Sequence, residues 1–416
     1  MKDLLLNTLC VIVVSFYFFP IEFRILPMVN TKMLLAFFGL CIMLYRRICT
    51  RNLNFPSRYV GVFVIGLIVS LCGCISTAVN NTNDTAYVKY FVSMSVWLAG
   101  AYSVLNLLRW RYGKIDIITV FRYLTVVCLL QCFCALLIDN IPMVKQVVDN
   151  TFAIDVEFFA EHKRLYGIGA NTDTAGIRFS CVLLAMIYLM QENRSVKFIN
   201  TYVFLFLLLV VIGNIMSRTT LVGVLLSLLY CFSICAIKPT VSYRTIKVIV
   251  WLSVVMLLII ITLTYLYEHN DDVYHYLRFG FEGFFTFFET GEWTTDTTKR
   301  IARGLDVFMP TEFRTYLVGD GLFADPLNPG AFYKGVDTGY IRLIYYFGLP
   351  GLLSFASLFI YCTFICVRRD PYHRVFYVCM VALQFIVWMK ISTDIFLFYA
   401  LILQLRDDEI NVSTKY

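Results

Sequence analysis

Residues 199–236 read INTYVFLFLLLVVIGNIMSRTTLVGVLLSLLYCFSICA, two apolar runs hinged on Ser217-Arg218-Thr219. Each run has the length that crosses a hydrocarbon core of about 30 Å as a helix. Arg218 is the one charged residue in the stretch. The pair therefore reads as a membrane hairpin whose very tight turn sets a single arginine at the surface.

The same grammar extends in both directions. The chain has 416 residues, 59% of them apolar and only 15% charged, with a mean hydropathy of +0.74. Soluble domains carry about a quarter charged residues, so a water-soluble enzyme is excluded. Apolar runs separated by charged or Pro/Gly-rich breaks predict about twelve helices. They fall at 4–19, 28–45, 59–79, 89–108, 116–138, 174–190, 199–216, 219–236, 248–266, 338–366, 374–389 and 393–405. The expected fold is an all-α polytopic membrane protein, one transmembrane domain over 1–416. Residues 1–19 read as a first span, because Phe18-Phe19-Pro20 stands where a cleaved signal would have small residues.

Charge sets the orientation. Alternate loops carry Arg46, Arg47, Arg51 and Arg58; Arg109, Arg111 and Lys114; Arg194 and Lys197; Lys238, Arg244 and Lys247; Arg368, Arg369 and Arg374. The positive-inside rule puts these loops and both termini in the cytoplasm. The net charge of +7 is then a membrane-topology signal and not a nucleic-acid one. Two long polar segments, 139–173 and 267–337, fall outside; they hold six and twelve acidic residues against three and six cations. Most of the 14 cysteines lie in apolar runs and none in the long loops, so neither a disulfide framework nor a zinc spacing is read.

Arginine on an external face runs against that charge rule, which makes each instance informative. Arg164 precedes the sixth span and Arg178 lies one turn inside it. Arg218 occupies the tight turn, Arg300 and Arg303 cluster with Lys299 in the second loop, and Arg342 enters the tenth span. Guanidinium groups bind phosphate bidentately and keep their charge when partly desolvated, so several converging from separate loops suit a pyrophosphate. Each also has a plain alternative, a cation snorkelling to the interface or facing solvent. The aromatic stretch 274–288 reads either as a sugar-stacking surface or as a segment in the headgroup region. The histidines show no metal or triad spacing, no Gly-rich phosphate loop is present, and no 20–50-residue period repeats.

Short motifs in this order resemble the superfamily of bacterial O-antigen polymerases (Wzy-type) and O-antigen ligases. They are Arg164-x-x-Gly167-x-x-x-Asn171-x-Asp173, Ser217-Arg218, Val318-Gly319-Asp320-Gly321 and Asp337-Thr338-Gly339-Tyr340-Ile341-Arg342, leading into Tyr345-Tyr346-Phe347-Gly348-Leu349-Pro350-Gly351. The resemblance implies a GT-C-like glycosyltransferase of the bacterial inner membrane, working on undecaprenyl-pyrophosphate-linked oligosaccharides at the periplasmic face without cofactor or metal. A flippase and a chain-length regulator are the implied partners, together with membrane lipids; nucleic acid is not one. Ligases of the superfamily carry His-Asn where this chain has Asp337-Thr338, which favours a polymerase.

Within that resemblance the expected roles are specific. Arg218 is expected to be catalytic, with Arg164, Arg178, Arg300, Arg303 and Arg342 binding pyrophosphate or glycan. Asp337 takes the acceptor proton or orients the hydroxyl, or else caps the helix that begins at Gly339; His162 is the alternative base. A ligase and a polysaccharide transporter are the competing readings, and broken or charged helices at mid-membrane would mark the transporter.

Overall fold

The computed structural model describes residues 2–26, 29–50, 57–153, 159, 164–193, 195–237, 250, 254, 261, 278, 282–291, 309–328 and 330–410. In chain order the helices are α1 (Lys2–Phe18), α2 (Thr31–Thr50), α3 (Ser57–Asn80), α4 (Tyr90–Tyr112), α5 (Ile117–Asn140), α6 (Pro142–Thr151), α7 (Thr172–Glu192), α8 (Val196–Met216) and α9 (Thr220–Ile237). They are followed by α10 (Glu282–Thr290), α11 (Phe313–Val318), α12 (Gly339–Arg369), α13 (Arg374–Val387), α14 (Phe396–Gln404) and α15 (Asp407–Ile410). Among the described residues there are isolated β-bridges but no strand.

Six helices, α3, α4, α5, α7, α8 and α12, are long and apolar enough to cross a membrane. This is the pattern of a multi-pass helical membrane protein. Helices also stand at the other expected spans, but in altered form. α1, α9 and α13 are shorter apolar helices, α2 carries Lys32, Arg46 and Arg47, and α14 has only nine residues. The expected span 248–266 lies outside the described residues except at three isolated positions.

α7 is the centre of the bundle. Every residue from Phe179 to Met190 is buried, with α5, α8, α9 and α13 packed around it. A helix apolar on all sides settles where all sides are covered. At its two ends the side chains of Asp173 and Glu192 are partly buried and reach neighbouring elements. The end of the bundle where α1 starts and α15 lies is termed the lower end. There Arg111 pairs with Asp3 at 2.9 Å, Arg109 with Glu409 at 2.7 Å and Arg369 with Asp407 at 2.8 Å. The turn 217–219 lies at the upper end.

Two departures from continuous spans shape that upper end. The first is inside α12, expected as an unbroken span over 338–366. Phe347 and Gly348 leave helical geometry, with Gly348 at φ 69°. The break frees backbone carbonyls that must find other donors. The Asp320 amide donates to Tyr345 O at 2.6 Å, and the Gly321 amide to Tyr346 O at 3.2 Å. The Ser76 hydroxyl donates to Tyr346 O as well, at 2.6 Å. The motif Val318-Gly319-Asp320-Gly321 thus splints the break, and the Asn80 amide and Thr82 hydroxyl of the adjoining segment hold it in place.

The second departure is the connection 388–395. α13 rises about 21 Å over fourteen residues and α14 about 14 Å over nine, both short of a 30 Å core. Non-helical backbone at such depth survives only where its polar groups are satisfied. Gln384 donates to Thr393 O at 3.0 Å and accepts from the Ile395 amide at 2.8 Å. Trp388 Nε1 also donates to Thr393 O, and the Tyr87 hydroxyl donates to Ser392 O at 2.8 Å. Three side chains, through four hydrogen bonds, and one backbone contact, Tyr340 N to Trp388 O, replace the missing helical ladder.

Candidate functional site

The upper end of α7, the turn 217–219 and the connection 388–395 converge on one polar cluster. Gly176 makes the convergence possible, since a Cβ there would stand 2.4 Å from Ser217 Oγ. The turn closes directly onto α7 through Ser180, whose hydroxyl lies 3.1 Å from Thr219 O. Asp173, in the first turn of α7, accepts from the Thr219 hydroxyl at 3.0 Å and from the Lys390 ammonium. Its neighbour Thr172 is held at φ 37°, a costly conformation for a β-branched residue. Arg218 pairs with Glu282 at the start of α10. All four charged side chains are between a fifth and a third exposed, and each cation in this layer has a carboxylate partner.

A second layer lies one to two turns deeper along α7. Arg178 is five residues below Asp173, about 7.5 Å of helical rise. Its guanidinium rests 5.4 Å from the Phe19 ring. Lys32, in the first turn of α2, places its ammonium 4.6 Å from the Trp97 ring. Both cations lie within electrostatic reach of each other and of Asp394. Asp394 also accepts from the Phe396 amide at 2.9 Å, starting α14. Among the described residues, neither Lys32 nor Arg178 makes a hydrogen bond or lies within 4 Å of a carboxylate. Two cations facing one acid leave an excess of positive charge, in partly buried surroundings where charge is felt strongly.

The other expected residues are distributed as follows. Arg342 is buried, its guanidinium stacked 3.4 Å from the Phe332 ring centre and 4.0 Å from that of Phe323. Its Nε has no hydrogen-bond partner, so cation–π contact is what holds it. Asp337 is exposed and within electrostatic reach of Arg342. Arg164 is partly buried at the start of the segment leading into α7, its amide donating to Phe159 O at 3.2 Å. Arg300, Arg303 and His162 lie outside the described residues. The fold therefore sets Arg178 with Lys32 and Asp394, Arg218 with Glu282 in the docked turn, and Asp337 with Arg342 in a separate group.

Sequence reasoning missed Lys32, Asp173, Glu282, Lys390 and Asp394 as members of the cluster. A signal was present for two of them: Lys390 sits in the gap between the short apolar runs 374–389 and 393–405, and Asp394 at the start of the second. Among the described residues no three His, Cys, Asp or Glu side chains gather at metal-ligating distance. Comparison with protein-family models, with curated proteins and with solved structures returns no match.

Proposed function

We propose that this chain is a membrane glycosyltransferase that polymerises undecaprenyl-pyrophosphate-linked oligosaccharide units into a surface polysaccharide. In this reading about twelve GT-C-like spans lie in the bacterial inner membrane, the lower end is cytoplasmic and the upper end periplasmic. The observation that carries it is the excess positive charge of Lys32 and Arg178, recessed beneath the Asp173–Lys390 and Arg218–Glu282 pairs. A lipid-linked pyrophosphate brings its anion to that depth while its polyprenyl chain stays in the bilayer.

The chemistry is inverting, metal-independent transfer. An acceptor hydroxyl attacks the anomeric carbon at the reducing end of the growing chain, and the C–O bond to the carrier breaks. Undecaprenyl pyrophosphate leaves with the bonding electron pair, and the acceptor proton passes to a carboxylate, for which Asp337 is the candidate. Fixed cations at the leaving oxygens stabilise the developing charge, an effect of roughly 3–4 kcal/mol per well-placed donor. Arg178 and Lys32 hold the pyrophosphate. Arg218 enters when the anion displaces Glu282, with Arg164, Arg300, Arg303 and Arg342 serving glycan and carrier. A flippase delivers the units and a chain-length regulator terminates the polymer.

One observation favours a second reading. The break in α12 and the irregular connection 388–395, lined by charged residues, have the form that secondary transporters give their binding sites. A single deletion experiment separates these readings. Loss of the gene should leave single repeat units capped on lipid A core with no ladder. Long glycan on the carrier with bare core would instead identify a ligase, and an unchanged ladder would remove both enzymes and leave the transporter.

A further inference from the structure

At the lower end, far from the cluster just described, His373 is buried at 3% exposure in the corner between α12 and α13. Its Nδ1 lies 3.0 and 2.9 Å from the two Asp370 carboxylate oxygens, and its Nε2 lies 3.0 Å from Glu192 Oε1 at the end of α7. Both ring nitrogens thus face carboxylate oxygens. An ionised carboxylate only accepts, and a neutral imidazole has one N–H. With a neutral ring, one of the two contacts would set lone pair against lone pair. The geometry is satisfied only when the group holds one more proton than neutral histidine with two carboxylates.

The surroundings point the same way. The Tyr188 and Tyr377 hydroxyls each donate to Asp370 at 3.2 Å. The Tyr188 ring covers the imidazole at 3.9 Å, and Tyr372 meets its edge at 4.7 Å. Tyr230 of α9 and Cys366 of α12 approach Asp370, and the Tyr230 hydroxyl donates to Gln191 at 2.6 Å. Among the described residues no lysine or arginine pairs with Asp370 or Glu192. Two carboxylates, with side chains 2% and 13% exposed, therefore depend on the imidazolium.

We propose that His373, Asp370 and Glu192 form a proton-binding site that ties α7 to the α12–α13 corner while the proton is bound. At the upper end α7 is tied through Asp173 to Lys390, just beyond the far end of α13. Burial opposes the charge on His373, but the hydrogen bonds its ring donates to Asp370 and Glu192 outweigh it and hold its pKa above the usual imidazole value. The stabilisation is therefore complete below the unperturbed value of about 6.5 and is lost as pH rises through the raised one. Deprotonation leaves two buried negative charges facing a single N–H, and the corner opens.

The test uses the full chain in nanodiscs with ¹⁵N-labelled histidine, of which it has four. One histidine should titrate above the ordinary range, and its signal should vanish in His373→Gln. Glu192→Gln removes one carboxylate while keeping the side chain's shape, and should move that midpoint down. The thermal midpoint should fall with rising pH in the wild type and stay flat in His373→Gln. An ordinary or neutral His373 titration overturns the proposal, as does a midpoint unmoved by Glu192→Gln. Neither readout involves glycan transfer, so the proposal and the functional reading fail independently.

Discussion

The Asp173 carboxylate holds the Lys390 ammonium across the gap between α7 and the connection 388–395, residues 217 positions apart in the chain. The Ser217 and Thr219 hydroxyls share the same carboxylate. An ion pair that is about a quarter exposed contributes modestly to stability, but here it also fixes where two functional segments meet.

A double-mutant cycle between Asp173→Asn and Lys390→Met should give a coupling of about 1 kcal/mol in unfolding free energy. Thermal or denaturant unfolding in detergent measures it. Purely additive single variants would show that the contact contributes nothing.

Binding at the deeper layer should depend on Lys32 and Arg178 separately. Loss of either charge, by Lys32→Met or Arg178→Gln, should weaken binding of a soluble polyprenyl diphosphate such as farnesyl diphosphate by roughly 10–100-fold. That range corresponds to about 1.5–3 kcal/mol for a charged contact. Calorimetric titration of the detergent-solubilised protein reports it. Unchanged affinity in both variants would move the anion site elsewhere.

Gly348 sits at φ 69° with backbone atoms of Leu317 2.8 Å from where a Cβ would stand. Gly348→Ala should therefore cost about 1–3 kcal/mol, from conformational strain and from displacement of the splint. Fluorescence-detected size exclusion after a heat step is a sufficient assay. A variant as heat-resistant as the wild type would mean the break tolerates a side chain.

The lower end carries its own acid dependence. Burial works against the charge on Glu409, but hydrogen bonds from Arg109 and the Arg406 amide dominate and lower its pKa. Its contribution is present above the ordinary carboxylate value of about 4.3 and is lost as pH falls through the depressed one. Glu409→Ala strands the largely buried Arg109 guanidinium and should cost about 3 kcal/mol at neutral pH. The difference from wild type should shrink in strongly acidic buffer. A gap that stays constant with pH would assign the loss to packing alone.

Much of the helical framework was legible in the chain. Runs such as 174–190 and 199–216 became α7 and α8 with ends shifted by a few residues. The tight turn at Ser217-Arg218-Thr219 is likewise where it was expected. The α12 break was not legible, because Tyr345 to Gly351 is as apolar as the helix around it. A hydropathy window averages composition and carries no φ, so Gly348 and Pro350 read as tolerated residues within one span. The splint that completes the break comes from Asp320 and Gly321, more than twenty residues upstream.

What the sequence alone determined is the class of solvent and the element type. Long apolar runs with few charges must bury their backbone polar groups, and in lipid helices do so within each run. Which charges end up together was decided only by the tertiary structure. Arg218 and Arg178 look alike in sequence, yet Glu282 of α10 neutralises the first, while the second faces Lys32 across the bundle. Charge compensation depends on distances of a few ångströms between residues far apart in the chain, and only packing sets those distances.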